Sequence, residues 1–311
     1  MNLKRFKLDP YDLNCDIDFI AVVGPTASGK SAVAMELASA INGSIVCCDS
    51  VQLYEGFDIG SAKPSKNDRA KVPHFLFDDF KWNEECDAAI YATKARRAIT
   101  EIKASNRIPV VTGGTGLYLR ALLGHQWDEG LPKDAELRRQ LNERESGALY
   151  AELQGLDPRR AFQLHPNDKF RVVRALEIIK LTGQPVKQSE FSTSLTANQR
   201  IIVMDPPRAE LHSDIEKRTK LMIEKGLVAE VEDLINQGVQ KTCKPMASIG
   251  YFETVQMLDG LVKSCDLENL IAASTRQYAK RQCTWFQKTE RTWTLQAPGQ
   301  IHDLIAKLVY N

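Results

Sequence analysis

The sequence predicts an α/β protein: a P-loop NTPase-like parallel sheet core flanked by helices, with a helical insertion domain. Three observations carry this expectation. Short β-branched runs alternate with helical spacings from Asp18 to Gly114. A glycine-bounded turn, Gly24 to Ser31, joins the first run to the first helix. Residues 133–182 then offer helical patterns and no convincing strand.

The first element is Asp18-Phe-Ile-Ala-Val-Val23, a continuous apolar run that suits a strand buried on both faces. The turn follows, then a helix with apolar residues at Val33, Leu37 and Ile41. Ser44 to Cys48 reads as a second strand ending at Asp49. Ala88 to Ala104 reads as a helix with a basic face, and Ile108 to Thr112 as a further strand closed by Gly113-Gly114. Strand, helix and strand in alternation imply a parallel sheet. Gly183-Gln-Pro and the polar stretch Gln188 to Asn198 form a return linker, after which Ile201 to Met204 rejoins the sheet. Residues 208–289 are mostly helical, including one amphipathic helix from Ile215 to Gln237. The expected division is 1–124 with 191–311 as core, and 125–190 as insertion.

A chain of 311 residues allows about two domains and a core that needs no staples. Its seven cysteines include no Cys-x-x-Cys pair, which leaves reduced thiols as the simplest reading. The start lacks the apolar stretch of a signal peptide, and no apolar run approaches a membrane span. Forty-one Lys and Arg face 40 Asp and Glu, a balance that at first disfavours a nucleic-acid partner. The charges are not evenly spread. Segments 159–174 and 276–291 each hold five basic residues and one acid, so the other 279 residues carry 31 basic against 38 acidic charges.

Gly24-Pro25-Thr26-Ala27-Ser28-Gly29-Lys30-Ser31 fits G-x-x-x-x-G-K-[ST] in full. The glycines let the backbone wrap a polyphosphate, with N–H groups of the turn and helix N-terminus facing the anion. Lys30 supplies a cation, and the Ser31 hydroxyl suits Mg²⁺. Such a loop ordinarily means nucleotide binding, ATP above all, and phosphoryl transfer. It serves equally well where the diphosphate is a leaving group from carbon.

Four further blocks decide between these. They are Asp49-Ser-Val-Gln-Leu-Tyr-Glu-Gly-Phe-Asp-Ile-Gly-Ser-Ala-Lys-Pro64, Gly113-Gly-Thr-Gly-Leu-Tyr118, His165-Pro-Asn-Asp168 with Arg171, Arg174 and Glu177, and a C-terminal pair. The pair is Ile249-Gly-Tyr251 and Thr275-Arg-Gln-Tyr-Ala-Lys-Arg-Gln-Cys-Thr-Trp-Phe286. In this order the chain resembles the tRNA dimethylallyltransferase (tRNA isopentenyltransferase) family over roughly residues 18–290.

The resemblance implies transfer of a dimethylallyl group from dimethylallyl diphosphate to N6 of adenosine 37 in tRNAs that read codons beginning with U. It implies Mg²⁺ and a cytoplasmic monomer. By matching position, Asp49 becomes the base, Thr115 the threonine near the bridging oxygen, and Lys30 and Arg218 the cations at the diphosphate. The tRNA-contacting positions carried over are Asp49, Ser50, Val51, Gln52, Thr115 and Arg138. Phe170, Arg171, Val172, Val173 and Arg174 follow in the insertion, which is expected to bind the anticodon stem-loop. Ala247, Ser248, Ile249, Gly250, Tyr251 and Phe252 follow, then Lys280, Arg281, Gln282, Cys283, Thr284, Trp285, Phe286 and Gln287. Phe170, Phe252 and Gln287 depart from the family's common residues, each losing a polar or cationic contact to RNA. The His165 block is expected to cap a helix.

Chemistry supports the assignment. An exocyclic adenine amine has its lone pair delocalised into the ring, so it needs a base as the C–N bond forms. A stacked loop adenosine must be extruded before N6 is reachable. In 276–291, basic residues interleaved with Tyr278, Trp285 and Phe286 on one helix suit a backbone and unstacked bases. Three rivals share part of the pattern: an adenylate isopentenyltransferase, a nucleotide kinase and a non-catalytic RNA-binding module. The insertion and the basic-aromatic block weigh against the first, whose small acceptor needs neither.

Overall fold

The computed structural model describes residues 17–124, 131–185, 195–196 and 198–309. Cys15 and most of the predicted return linker lie outside them. The chain divides into two compact units, Met1–His125 with Thr193–Asn311, and Gln126–Ser192.

The larger unit begins with β1 (Phe19–Val23), α1 (Lys30–Ala40), β2 (Gly43–Cys47), α2 (Lys66–Lys71) and β3 (His74–Phe75). α3 (Ala88–Ala104), β4 (Ile108–Gly113) and α4 (Gly116–Leu122) complete its first part. The smaller unit holds α5 (Ala135–Glu143), α6 (Ser146–Leu156), α7 (Pro158–Gln163) and α8 (Lys169–Thr182). The larger unit resumes with β5 (Gln199–Met204), α9 (Arg208–Glu224), α10 (Leu227–Asn236), α11 (Tyr251–Leu258) and α12 (Leu267–Gln287). It ends on β6 (Trp293–Leu295) and α13 (Ile301–Val309).

The six strands form one sheet in the order β3-β2-β4-β1-β5-β6, and every pair is parallel. β1 is buried along its whole length, as its continuous apolar run requires. Its side chains alternate between two cores. Phe19, Ala21 and Val23 join the core under α3, α4 and α10 to α12. Ile20 and Val22 join the core under α1 and α13.

The topology places the site. After β1 the chain crosses to β2, two strands away, and after β4 it passes to β5 on the far side of β1. This reversal opens a crevice at the carboxyl ends of β1 and β4, where open parallel sheets bind ligands. Val23 is in register with Gly113, and Cys47 with Thr112. The loops after β1, β2 and β4, which carry Gly24, Asp49 and Thr115, therefore start side by side.

Three details differ from the sequence expectation. The edge strands β3 and β6, of two and three residues, carry too short a pattern to register. The expected single helix from Ile215 to Gln237 is two, because Gly226 stands at φ 96°, a left-handed conformation that stops α9 and starts α10. The basic run 276–291 does not share one helix, since α12 ends at Gln287.

In the smaller unit, Leu141, Leu149, Leu153, Val172 and Leu176 make a separate core. Asp134, Asp157 and Asp168 accept N–H bonds at the starts of α5, α7 and α8, so the His165-Pro-Asn-Asp168 block does cap a helix. The six described cysteines are free. No helix among the described residues is long and apolar enough to cross a membrane.

Candidate active site

A cavity of about 1120 Å³ opens at the crevice of the larger unit. Thr26 to Ser31 line it, together with Asp49 to Gln52, Arg218, Ala247 to Gly250, Tyr278, Arg281 and Gln282. Residues distant in sequence are thus gathered around the phosphate loop.

The loop is built for an anion. Gly29 stands at φ 77° immediately before α1, where a side chain would be strained, and no side chain caps that helix. The first-turn N–H groups are therefore left for a ligand. Ser28 Oγ is buried with no hydrogen-bond partner in the protein, an orphan donor that an anionic oxygen would satisfy. Lys30 is 8% exposed, and its ammonium donates to the Pro25 carbonyl at 3.2 Å. Burial and the nearby Arg218 push the Lys30 pKa down to about 8, while Asp49 and Cys48 oppose the fall. Burial also lowers Arg218, with Asp49 opposing. Two cations held at such a cost are a site waiting for negative charge.

Asp49 stands in the loop just after β2 and faces this pair. Its Oδ1 accepts from the Val51 N–H at 3.0 Å and the Gln52 N–H at 3.4 Å, which orients the carboxylate toward the cavity that it lines. Thr115 is not a lining residue. It stands behind, its Oγ1 accepting from the Ser50 N–H at 3.0 Å and so tying the β4 loop to the β2 loop. Tyr278 adjoins it. Burial, reinforced by the charge of Asp49, drives the Tyr278 hydroxyl up to about 12, against hydrogen bonds to Gln282 and Thr115. Tyr278 belongs to the site through contacts that no local sequence signal reveals.

Motif glycines mark close approaches. A Cβ on Gly113 would lie 2.0 Å from the Cys48 carbonyl oxygen, on Gly114 2.4 Å from Gln282 Nε2, and on Gly116 2.2 Å from Trp285 Nε1. The Gly-Gly-Thr-Gly run thus lets β2 and α12 close on the β4 loop. The Asp58-Ile-Gly60 loop is held by Glu230, whose carboxylate accepts their three N–H groups at 2.7–3.2 Å and the Tyr251 hydroxyl at 2.6 Å. Glu230 escaped sequence reasoning, since it sits in an ordinary amphipathic helix.

The expected tRNA residues fall into several environments. Asp49 to Gln52, Ala247 to Gly250, Arg281 and Gln282 line the cavity. Phe252, Lys280, Thr284 and Gln287 are exposed. Tyr251, Cys283 and Phe286 are buried, and Cys283 accepts from Arg208 at 2.6 Å. Their side chains pack the interior and present no RNA-facing surface. Trp285 is half-buried under the Arg120 guanidinium, 4.6 Å from its ring.

In the smaller unit, Phe170 is 77% exposed, while Val172 and Val173 are core. Arg171 pairs with Asp168. Arg138 and Arg174 both reach Glu177, at 2.8 and 2.7 Å, and the Asp134 N–H donates to it at 2.9 Å. Burial alone would raise the Glu177 carboxyl, but Arg138, that N–H and Arg174 hold it below the ordinary range. Arg174 thus stabilises a buried carboxylate and is not an open cation.

Donors for Mg²⁺ are few. The described residues hold no cluster of three His, Cys, Asp or Glu. Ser31 and Asp49 line the cavity beside the loop. That sparse set fits Mg²⁺, which keeps most of its waters and is completed by phosphate oxygens.

Fold and site define a P-loop protein that offers a polyphosphate two cations and faces them with a carboxylate. The particular family follows from kinship. Residues 52–289 match the family model described as IPP transferase. The chain is 41% identical over 276 residues to tRNA dimethylallyltransferase 1 of Trichlorobacter lovleyi, covering 86% of this chain and 90% of that protein. It is 38% identical over 300 residues to the tRNA dimethylallyltransferase of Thermotoga petrophila, covering 93% and 97%. Among solved structures it resembles the tRNA isopentenylpyrophosphate transferase of Bacillus halodurans, with TM-score 0.68, 36% identity and coverage of 93% and 96%. It also resembles a eukaryotic dimethylallyltransferase acting on tRNA, with TM-score 0.75, 28% identity and coverage of 86% and 69%. The chain belongs to the IPP transferase family and is a transferase.

Proposed function

We propose that this enzyme transfers the dimethylallyl group of dimethylallyl diphosphate to N6 of adenosine 37 in tRNAs reading codons that begin with U. The products are N6-(dimethylallyl)adenosine and diphosphate. The observation that carries the reading is the convergence of the phosphate loop, Lys30, Arg218 and the Asp49 carboxylate on one cavity.

The donor's diphosphate lies on the loop N–H groups, with Ser28 Oγ, Lys30 and Arg218 as further donors. The extruded adenine enters from the side lined by Asp49 to Gln52 and Ala247 to Gly250. As the allylic C–O bond breaks and the N6–C bond forms, Asp49 takes the N6 proton, and its Asx-type bonds to Val51 and Gln52 keep it aimed. Negative charge grows on the diphosphate, where Lys30 and Arg218 stand ready and need no reorganisation. Ser31 would hold Mg²⁺, which when bound supplies added charge neutralisation to the leaving group. The exposed Lys280 and Arg281 on α12, and Arg171 and Phe170 in the helical unit, supply the grip on the anticodon stem-loop. The enzyme acts as a cytoplasmic monomer.

The test is digestion of product tRNA. With Mg²⁺ and dimethylallyl diphosphate, unmodified tRNA should yield one N6-(dimethylallyl)adenosine, and the same tRNA with guanosine at position 37 should yield none. Modification elsewhere in the tRNA would overturn the assignment.

A further inference from the structure

We infer that Gln282 is a positioning residue for the diphosphate loop, and that α12 uses it to couple the tRNA-binding surface to the leaving-group site. The inference rests on the function proposed above and gives Gln282 a role other than tRNA contact.

Gln282 is 5% exposed, in the last third of a 21-residue helix. Its Oε1 accepts from the Thr26 N–H at 2.8 Å, and its Nε2 donates to the Gly114 carbonyl at 2.8 Å. The amide orientation is dictated by these partners, since a backbone N–H only donates and a carbonyl only accepts. One side chain therefore bridges two loops, the phosphate loop after β1 and the Gly-Gly-Thr-Gly loop after β4. The bridge spans 256 residues to Thr26 and 168 to Gly114.

Its neighbours on the helix make the same approach. Tyr278, one turn earlier, lines the same cavity, and Trp285, one turn later, lies against Gly116. Positions 278, 282 and 285 share one face of a helix. That face docks on the β4 loop, while Lys280 and Thr284 on the other faces are exposed. A load on the exposed side is thus connected through Gln282 to the Thr26 amide in the loop that holds the leaving group. An amide at such a junction is not available to RNA without giving up both bonds.

The experiment compares Gln282→Met, which keeps the volume and loses both hydrogen bonds, with Gly114→Ala. The Gly114 Cβ would come 2.4 Å from Gln282 Nε2, so the second variant displaces the same amide without altering Gln282. Both variants should bind inorganic diphosphate about tenfold more weakly in a Mg²⁺ buffer, with tRNA affinity within about twofold of wild type. Gln282→Glu keeps an acceptor for Thr26 but sets an anionic oxygen against the Gly114 carbonyl and beside the anion site, so it should bind diphosphate at least as weakly as Gln282→Met. A loss of tRNA affinity with diphosphate binding unchanged would overturn the inference and return Gln282 to the RNA interface. Equal weakening of both ligands together with a collapsed melting temperature would overturn it too, as a purely structural role. Absence of prenyl transfer by the wild-type enzyme would instead sink the proposed function, and the two failures are therefore distinct.

Discussion

Lys30 makes diphosphate binding depend on pH in a way that can be worked out beforehand. In the free protein burial and Arg218 bring its pKa from 10.5 down to about 8. Between pH 7 and pH 9 such a lysine goes from about nine-tenths to about one-tenth protonated. A bound polyanion favours the charged form and raises the pKa again. Diphosphate affinity should therefore lose about tenfold between pH 7 and pH 9, over and above the ligand's own ionisation. At pH 8.5 binding should take up about three-quarters of a proton. Lys30→Arg is the control, because arginine stays charged throughout. Calorimetry in two buffers of different ionisation heat reads the proton uptake directly. The sign for stability also follows. A depressed lysine costs the fold its penalty fully below about pH 8, and the penalty fades as pH rises toward 10.5. Lys30→Met should thus stabilise the ligand-free protein at pH 7, by on the order of 1–3 kcal/mol, and less at pH 10. Identical pH dependence in wild type and Lys30→Arg would refute the reasoning.

Three further outcomes are expected. Asp49→Asn keeps the side-chain oxygen that accepts from Val51 but not the base, so turnover should fall about 100- to 10,000-fold while tRNA affinity stays within a few-fold; single-turnover kinetics checks this. Glu177→Ala leaves Arg138 and Arg174 without their buried counter-charge and should cost about 3 kcal/mol, read by urea denaturation. Removing an open cation should flatten the log–log salt dependence of tRNA binding by about 0.7 for each single-strand phosphate lost. Lys280→Gln is expected to do so, whereas Arg174→Gln, already paired with Glu177, should leave the slope alone.

What could be read from the sequence was set by the range of each interaction. β1, its glycine turn and α1 are legible because strand burial, the turn and the phosphate loop are all local patterns. The sheet order is not local, yet alternation of strand and helix was enough to predict a parallel sheet. β3 and β6 escaped because two or three residues at a sheet edge carry no period. The break at Gly226 was hidden because apolar spacing continues on both sides of it. Asp49 and Lys30 stand out by motif, but the environment that depresses Lys30 includes Arg218, which only the fold brings near. Gln282, Tyr278 and Glu230 act through partners far along the chain, and their own neighbours in sequence give no hint of it. Arg174 shows the reverse. It is carried over with Arg171 as a tRNA contact, while its partner three residues on, Glu177, is buried and claims it.

The most direct test concerns the acceptor. The enzyme is incubated with Mg²⁺ and labelled dimethylallyl diphosphate, with unmodified tRNA and AMP present together, and a parallel reaction contains ATP labelled at its γ-phosphate. Allyl label is expected in tRNA alone, one per molecule, with no phosphate transfer. Label in AMP with none in tRNA, or transfer of phosphate from ATP to either acceptor, would contradict it.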